Sequence, residues 1–197
     1  MKKDTVTLTG TTVLAALVFI FDYTMKFSGL KIPFPWLPYL KFDFTGVPIV
    51  LSTLLFGLAS GATTSAIAFF AILIRSGDIV GASMKALAEF STILGITVAS
   101  KHFAKNKKLT KAASPFFGVA LRSLTMFFAN LITLPAYYGY SQTAAFFLSP
   151  LIVAFNVVQG FIGIVLGYFV YEALIRRTSN LIINKNQHSP NQHESAK

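Results

Sequence analysis

Five stretches of the chain, residues 7–27, 44–74, 82–100, 113–136 and 144–172, are long, apolar and almost free of charge. About 20 apolar residues in a helix cross the roughly 30 Å hydrocarbon core of a bilayer. Helices satisfy their own backbone hydrogen bonds there, which irregular chain cannot do. The pattern therefore restricts the chain to an integral membrane protein. Composition agrees, with 54% hydrophobic and only 12% charged residues, where a soluble domain carries about 25% charged. Lys85, Glu89 and Arg122 nevertheless lie inside the apolar stretches. Charge at membrane depth is expensive, so such residues face a protein interior, a cavity or a partner.

The formal net charge is +10, but its placement argues for topology and against nucleic acid. Lys2 and Lys3 precede the first stretch, Lys101, Lys105, Lys107, Lys108 and Lys111 fill one loop, and Arg176 and Arg177 follow the last. The positive-inside rule puts these three places in the cytoplasm, where lysines also meet anionic lipid. An even number of spans then leaves both termini cytoplasmic, and the length suits six. No cleavable signal peptide is evident, since the first apolar stretch is long and no small-residue cleavage site follows a short core. Zero cysteines exclude disulfides and Cys-based metal or redox sites. His102, His188 and His193 lie in the basic loop and the polar tail, so no metal site is expected.

The expected architecture is all-α, a six-transmembrane-helix bundle over residues 1–178, followed by a cytoplasmic polar tail over 179–197. That tail is Asn-, Gln- and Ser-rich and is expected to be disordered beyond about residue 185. Span 1 covers Thr7–Phe27, with Thr11, Thr12, Ala15 and Ala16 offering small residues for close helix approach. Ser28–Asp43 holds Gly29, Pro33, Pro35 and Pro38 among Phe34, Trp36 and Tyr39. Prolines block a regular helix and the aromatics suit the interface, so an ordered external loop, or a plain aromatic belt, is expected. Residues 44–74 are too long for one span. A reversal at Gly57–Gly61 gives span 2 over 45–59 and span 3 over 61–75, each short for the hydrocarbon core. Spans 4, 5 and 6 follow at 82–103, 113–136 and 144–175, with an external cluster of Tyr137, Tyr138 and Tyr140 between the last two.

Lys85 and Glu89 are four apart on span 4 and share one helix face. They form either a charge pair at the mouth of a cavity or an ion pair that lowers its own insertion cost. Asn130, Asn156 and Gln159 fall at similar depth on spans 5 and 6. Carboxamides both donate and accept without charge, which suits a neutral heteroaromatic ligand, although they also join helices to one another. Arg122 lies deeper and reads as structural or conformational, not as a ligand contact. Gly160, Gly163 and Gly167 read as a packing groove.

Absences constrain mechanism as well. The chain holds no GxxxxGK[ST], HExxH or GxSxG motif and no carboxylate dyad, so neither ATP hydrolysis by a phosphate loop nor another enzymatic activity is expected. No cofactor is implied. Six short-loop spans without an internal repeat are small for a self-sufficient carrier, so accumulating a solute needs an ion gradient or a separate subunit.

In the order and spacing of several segments the chain resembles the substrate-binding S components of energy-coupling factor (ECF) vitamin transporters, the riboflavin-type members above all. The likeness spans residues 7–175. It is carried by Phe34-Pro35-Trp36-Leu37-Pro38-Tyr39-Leu40-Lys41-Phe42-Asp43-Phe44, Val47-Pro48 and Phe56-Gly57. Arg122–Met126–Asn130–Pro135–Tyr137 and Phe155-Asn156-Val157-Val158-Gln159-Gly160 complete it. The resemblance implies a plasma-membrane, multi-pass subunit that captures a vitamin near its external face. It implies docking onto a transmembrane coupling subunit with two ABC ATPases, and toppling in the membrane to release the substrate. Thr12, Ala15 and Ala16 resemble the family's docking surface, and Pro33–Leu40 its ligand-covering loop. The implied substrate contacts are Trp36, Tyr39, Lys41, Asp43, Lys85, Glu89, Asn130, Asn156 and Gln159.

The chain departs from that pattern at identifiable places. Gly46 stands where the riboflavin-type members usually read Asp, Glu89 where they often read Asn, and Gln159 where they read Lys. The third helix is apolar around Ala68–Phe70, where they commonly carry Lys-Asn. Riboflavin or a related flavin is the first expectation, with another vitamin or a nucleobase-like compound as the alternative. A structural membrane subunit without a ligand, and a carrier acting alone, are the competing classes.

Overall fold

The computed structural model describes residues 2–187 and is helical throughout except for one hairpin. The elements run α1 (Lys2–Phe27), β1 (Ile32–Phe34), β2 (Leu37–Phe42), α2 (Gly46–Phe56), α3 (Leu58–Ser76), α4 (Ile79–His102), α5 (Lys107–Tyr138) and α6 (Gln142–Gln187). Five helices are long and apolar enough to cross a membrane, namely α1 and α3 to α6. α2 has only 11 residues, about 16 Å of helix, half of a bilayer core. The end of the expected disordered tail, residues 188–197, lies outside the described residues.

Helix boundaries follow their capping chemistry. Asp78 caps α4 by accepting from the Gly81 N–H at 2.9 Å. Asn106 caps α5 by accepting from the Lys108 and Leu109 N–H groups, both at 3.1 Å. Gly77 and Gly139 close α3 and α5 in the left-handed region, with φ of 67° and 70°, where a Cβ is strained. The reversal between α2 and α3 is a single residue, Gly57, at φ 92°, and not the wider Gly57–Gly61 segment. Gly61 instead lies buried inside α3. A Cβ there would overlap the Thr53 side chain of α2, so its bare backbone lets the two helices pack closely. Gly95 does the same between α4 and α5, where a Cβ would run into the backbone at Phe117 and Gly118.

Two apolar clusters hold the bundle together. One, of Val18, Ile49, Val50, Ala68, Ile93, Ile96 and Ile164, joins α1, α2, α3, α4 and α6. The other joins the hairpin to α5 and α6 through Phe34, Leu37, Leu134, Ala145, Ile152 and Phe155. The expected external loop is thus a two-stranded antiparallel hairpin, with Ile32 opposite Phe42, Pro33 opposite Lys41, and an irregularity between Pro33 and Phe34. Its prolines are tolerated because a two-stranded ribbon has only edges. Phe34 and Phe42 seat it on α6, with ring centroids 5.7 and 4.9 Å from that of Phe155.

Candidate substrate-binding site

Beneath the hairpin lies a cavity of about 660 Å³, bounded by α1, β2 and helices α3 to α6. That volume is within the range of small-molecule sites. Its walls are largely apolar, from Leu40, Met84, Met126, Leu134, Ile152 and Phe155. Tyr39, Tyr138 and Tyr140 stand at the hairpin end. Asn130 is buried on α5, and its amide donates to the Met126 carbonyl at 2.8 Å. That bond uses one donor and leaves the Asn130 Oδ1 acceptor available to the cavity.

A buried polar network forms the floor. Lys85 Nζ donates to Asp43 Oδ1 at 2.8 Å and lies 2.9 Å from Glu89 Oε1. The same Glu89 oxygen is 3.1 Å from Arg122 Nη1, as an ion pair off hydrogen-bond alignment. Arg122 also donates to Asn156 Oδ1 and Thr92 Oγ1, each at 3.1 Å. Two cations thus meet two carboxylates, the arrangement that makes buried charge tolerable. Gly46 makes room for it, since a Cβ there would stand 2.8 Å from Glu89 Oε2. Gly160 makes room for Arg122, with a Cβ 2.9 Å from its Cδ.

Asp43 ties the hairpin to this floor. Its carboxylate accepts from the Thr45 hydroxyl at 2.7 Å and the Thr45 N–H at 3.2 Å. Its backbone exchanges two bonds with the Gln159 side chain. Burial pushes the Asp43 carboxyl up, but Lys85, Lys31 and the Thr45 hydroxyl outweigh it and hold the group at about 2. The other foot of the hairpin is tied as well. Asp22 on α1, fully buried, meets Lys31 Nζ at 2.5 Å and Arg75 Nε at 2.5 Å.

The sequence candidates are distributed unevenly around this cavity. Tyr39, Lys41, Asp43, Lys85, Asn130 and Asn156 line it, together with Arg122. Glu89 and Gln159 lie behind the lining and hold its members in place. Trp36 is outside the lining, 67% exposed, with its ring edge-on to Phe34 at 5.1 Å. On α1, Thr12 and Ala16 face outward whereas Ala15 is buried in the core. The Asp22–Lys31–Arg75 cluster escaped the sequence reading. Its only signal was a carboxylate inside span 1, whose partners stand 9 and 53 residues away.

Apolar helices around a hairpin-covered cavity with a polar floor define a multi-pass membrane protein built to bind a small molecule. No family model matches the chain. It is 30% identical over 144 residues to the riboflavin transporter FmnP of Bacillus subtilis (strain 168), covering 68% of this chain and 76% of that protein. A solved structure of the S component of a bacterial ECF transporter superposes with a TM-score of 0.70 at 26% identity, over 91% of this chain and 98% of that one. The chain belongs to the riboflavin-type S components of ECF transporters. It is accordingly a transport protein and not an enzyme, and it needs no cofactor.

Proposed function

We propose that this chain captures riboflavin, or a closely related flavin, in the cavity beneath the hairpin, and hands it to an ECF coupling module. The observation that carries this reading is the cavity itself, apolar on its walls and polar at its floor, in a chain akin to a riboflavin transporter. A flat ring system would lie among Met84, Met126 and Phe155. Asn130 would accept from a ring N–H, Asn156 and Lys85 would set the polar edge, and Tyr39, Lys41 and Asp43 would close the hairpin side. Glu89 and Gln159 act from behind by fixing Lys85, Arg122 and Asp43. Trp36 serves the ligand indirectly, through Phe34.

The protein sits in the plasma membrane with six crossings and both termini in the cytoplasm. The short α2 supplies the remaining crossing, packed within the bundle against α1, α3 and α6. The partner is a transmembrane coupling subunit bearing two ABC ATPases, which supply the energy this chain has no motif to provide. Thr12 and Ala16 form the docking face on α1. The Thr12 hydroxyl is already satisfied by the Leu8 carbonyl at 2.9 Å, so the face behaves as small and apolar.

The test is to purify the protein in detergent without added ligand, then record its visible spectrum and identify released small molecules by mass spectrometry. Released flavin supports the reading. A different vitamin keeps the mechanism and changes the substrate. A protein that neither carries nor takes up any vitamin removes the reading.

A further inference from the structure

The hairpin that covers the cavity turns an apolar face away from it. Leu30, Ile32, Pro33, Pro35, Trp36 and Pro38 are all exposed, whereas Phe34 and Leu37 are buried beneath them. Between Gly29 and Pro38 the only charged side chain is that of Lys31, and it turns inward to Asp22 at 2.5 Å. A loop surrounded by water carries polar side chains, and an exposed apolar surface of this kind marks an interaction site.

Helix lengths set the height of that surface. Arg176 on α6 and Lys111 on α5 stand at the basic end of the bundle. Phe155 lies 21 positions before Arg176, about 31 Å of helix, and Leu134 lies 23 positions after Lys111, about 34 Å. Both lengths match a hydrocarbon core of about 30 Å. The hairpin rests on these two residues in one apolar cluster, so it sits where hydrocarbon gives way to headgroups. α1 reaches the same level. Val13, Ile20 and Phe27 are exposed at a seven-residue spacing on one side of that helix, and the exposed Leu30 and Ile32 continue this apolar side onto the hairpin.

We infer that the outer face of the hairpin is a lipid-binding surface, seated in the outer-leaflet interface with the Trp36 ring at the headgroup–acyl boundary. Trp is enriched at that depth because its ring is apolar and its N–H is polar. Lys26 and Lys41, both exposed beside the hairpin, lay their stems along apolar surface and reach headgroup phosphates. The covering of the cavity is thus held by protein on one side and by lipid on the other. The depth follows from helix length, and the choice of leaflet rests on the orientation proposed above.

Trp36 is the single Trp of the chain, so all Trp emission reports on the hairpin. The experiment places ligand-free protein in vesicles of phosphatidylcholine and phosphatidylglycerol, with bromine on the acyl chains near the headgroup, deep in the chains, or absent. Shallow bromine should remove about half or more of the emission and deep bromine less, as for a ring about 5–10 Å into the boundary. Acrylamide in the water should quench weakly. A Leu30→Trp/Trp36→Phe variant should give the same pattern from the other end of the face. Circular dichroism, the same in all three lipids, reports folding. Equal emission with and without bromine, together with strong acrylamide quenching, would overturn the inference by placing the face in water. The leaflet is tested separately, because the chain has no Cys. Ser141→Cys, exposed at the start of α6, should react with a membrane-impermeant maleimide on intact cells. Protection there would overturn the proposed orientation, and with it the outer leaflet, even where bromine quenches Trp36.

Discussion

Gln159 on α6 holds the backbone of Asp43 from both sides: the Asp43 N–H donates to Gln159 Oε1 at 3.2 Å, and Gln159 Nε2 donates to the Asp43 carbonyl at 2.8 Å. The two residues are 116 positions apart, and both are buried. Beyond β2 the chain has left the ladder but has not begun α2, so its backbone groups need partners. One carboxamide supplies both. The consequence is that the hairpin, the α2 start and α6 form one unit over the cavity.

Replacing Gln159 by Ala therefore leaves a buried N–H and a buried carbonyl without partners. The expected loss is about 2 kcal/mol or more of stability, read as a lowered Tm in detergent. Gln159→Glu should also destabilise, since it loses the donor to the Asp43 carbonyl and adds a buried anion. A wild-type Tm in both variants would mean that this bond pair does not hold the hairpin.

The second expectation concerns two departures from the family pattern that read as unrelated in the sequence. Gly46 replaces an acidic residue and Glu89 replaces Asn, 43 positions on, yet Glu89 Oε2 occupies the space beside the bare Gly46 backbone. The carboxylate has in effect moved from α2 to α4. Gly46→Asp alone should be strongly destabilising, with two anions in one buried space. Glu89→Asn alone should also destabilise, because Lys85 and Arg122 lose their shared anion. The Gly46→Asp/Glu89→Asn double variant should recover at least about 1 kcal/mol relative to the sum of the singles. Strict additivity in thermal melts would refute the exchange.

Acid sensitivity follows from Asp43. Its carboxyl is held at about 2, below its ordinary 3.8, so the folded state prefers the ionised form. That stabilisation is full above 3.8 and is lost as pH falls towards about 2. The contribution of Asp43, obtained by comparing wild type with Asp43→Asn, should be constant from about pH 8 to about pH 5 and should shrink only below that. A contribution that already disappears near neutral pH would show that Lys85 does not hold Asp43 ionised.

Helix packing gives a stability test remote from the ligand. Gly95 on α4 abuts the α5 backbone at Phe117 and Gly118, and backbone cannot move aside as a side-chain tip can. Gly95→Val should cost several kcal/mol, above the usual range of about 1–3 kcal/mol for overpacking. Gly29→Ala, where a Cβ meets nothing within 4 Å and the strain is that of a positive φ of 72° alone, should cost less, about 1 kcal/mol. Equal melting temperatures for the two would refute the close α4–α5 approach.

What the sequence revealed, and what it hid, divides by distance along the chain. Apolar length and the scarcity of charge disclosed the helices. The four-residue spacing of Lys85 and Glu89 disclosed their pairing, seen at 2.9 Å. The asparagines at matching depth, Asn130 and Asn156, both reach the cavity. Local pattern could not show which carboxylate meets which cation across helices, so Asp22 with Arg75 and Glu89 with Arg122 emerged only from the packing. Nor could it separate a turn glycine from a packing glycine. Gly57 needs its positive φ while Gly61 needs its missing side chain, and both look alike in a run of small residues. The strands were obscured by their prolines, and Trp36 points away from the cavity because the hairpin tip lies beyond the Phe34–Phe155 contact.

The most direct measurement is a riboflavin titration of wild type and Asn130→Ala side by side, followed by flavin fluorescence quenching. Wild type should saturate at one flavin per chain. Asn130→Ala should stay folded and bind roughly fivefold or more weakly, the effect of one lost hydrogen bond of about 1 kcal/mol. No saturable binding by wild type, or identical affinity in both proteins, would contradict a flavin site beneath the hairpin.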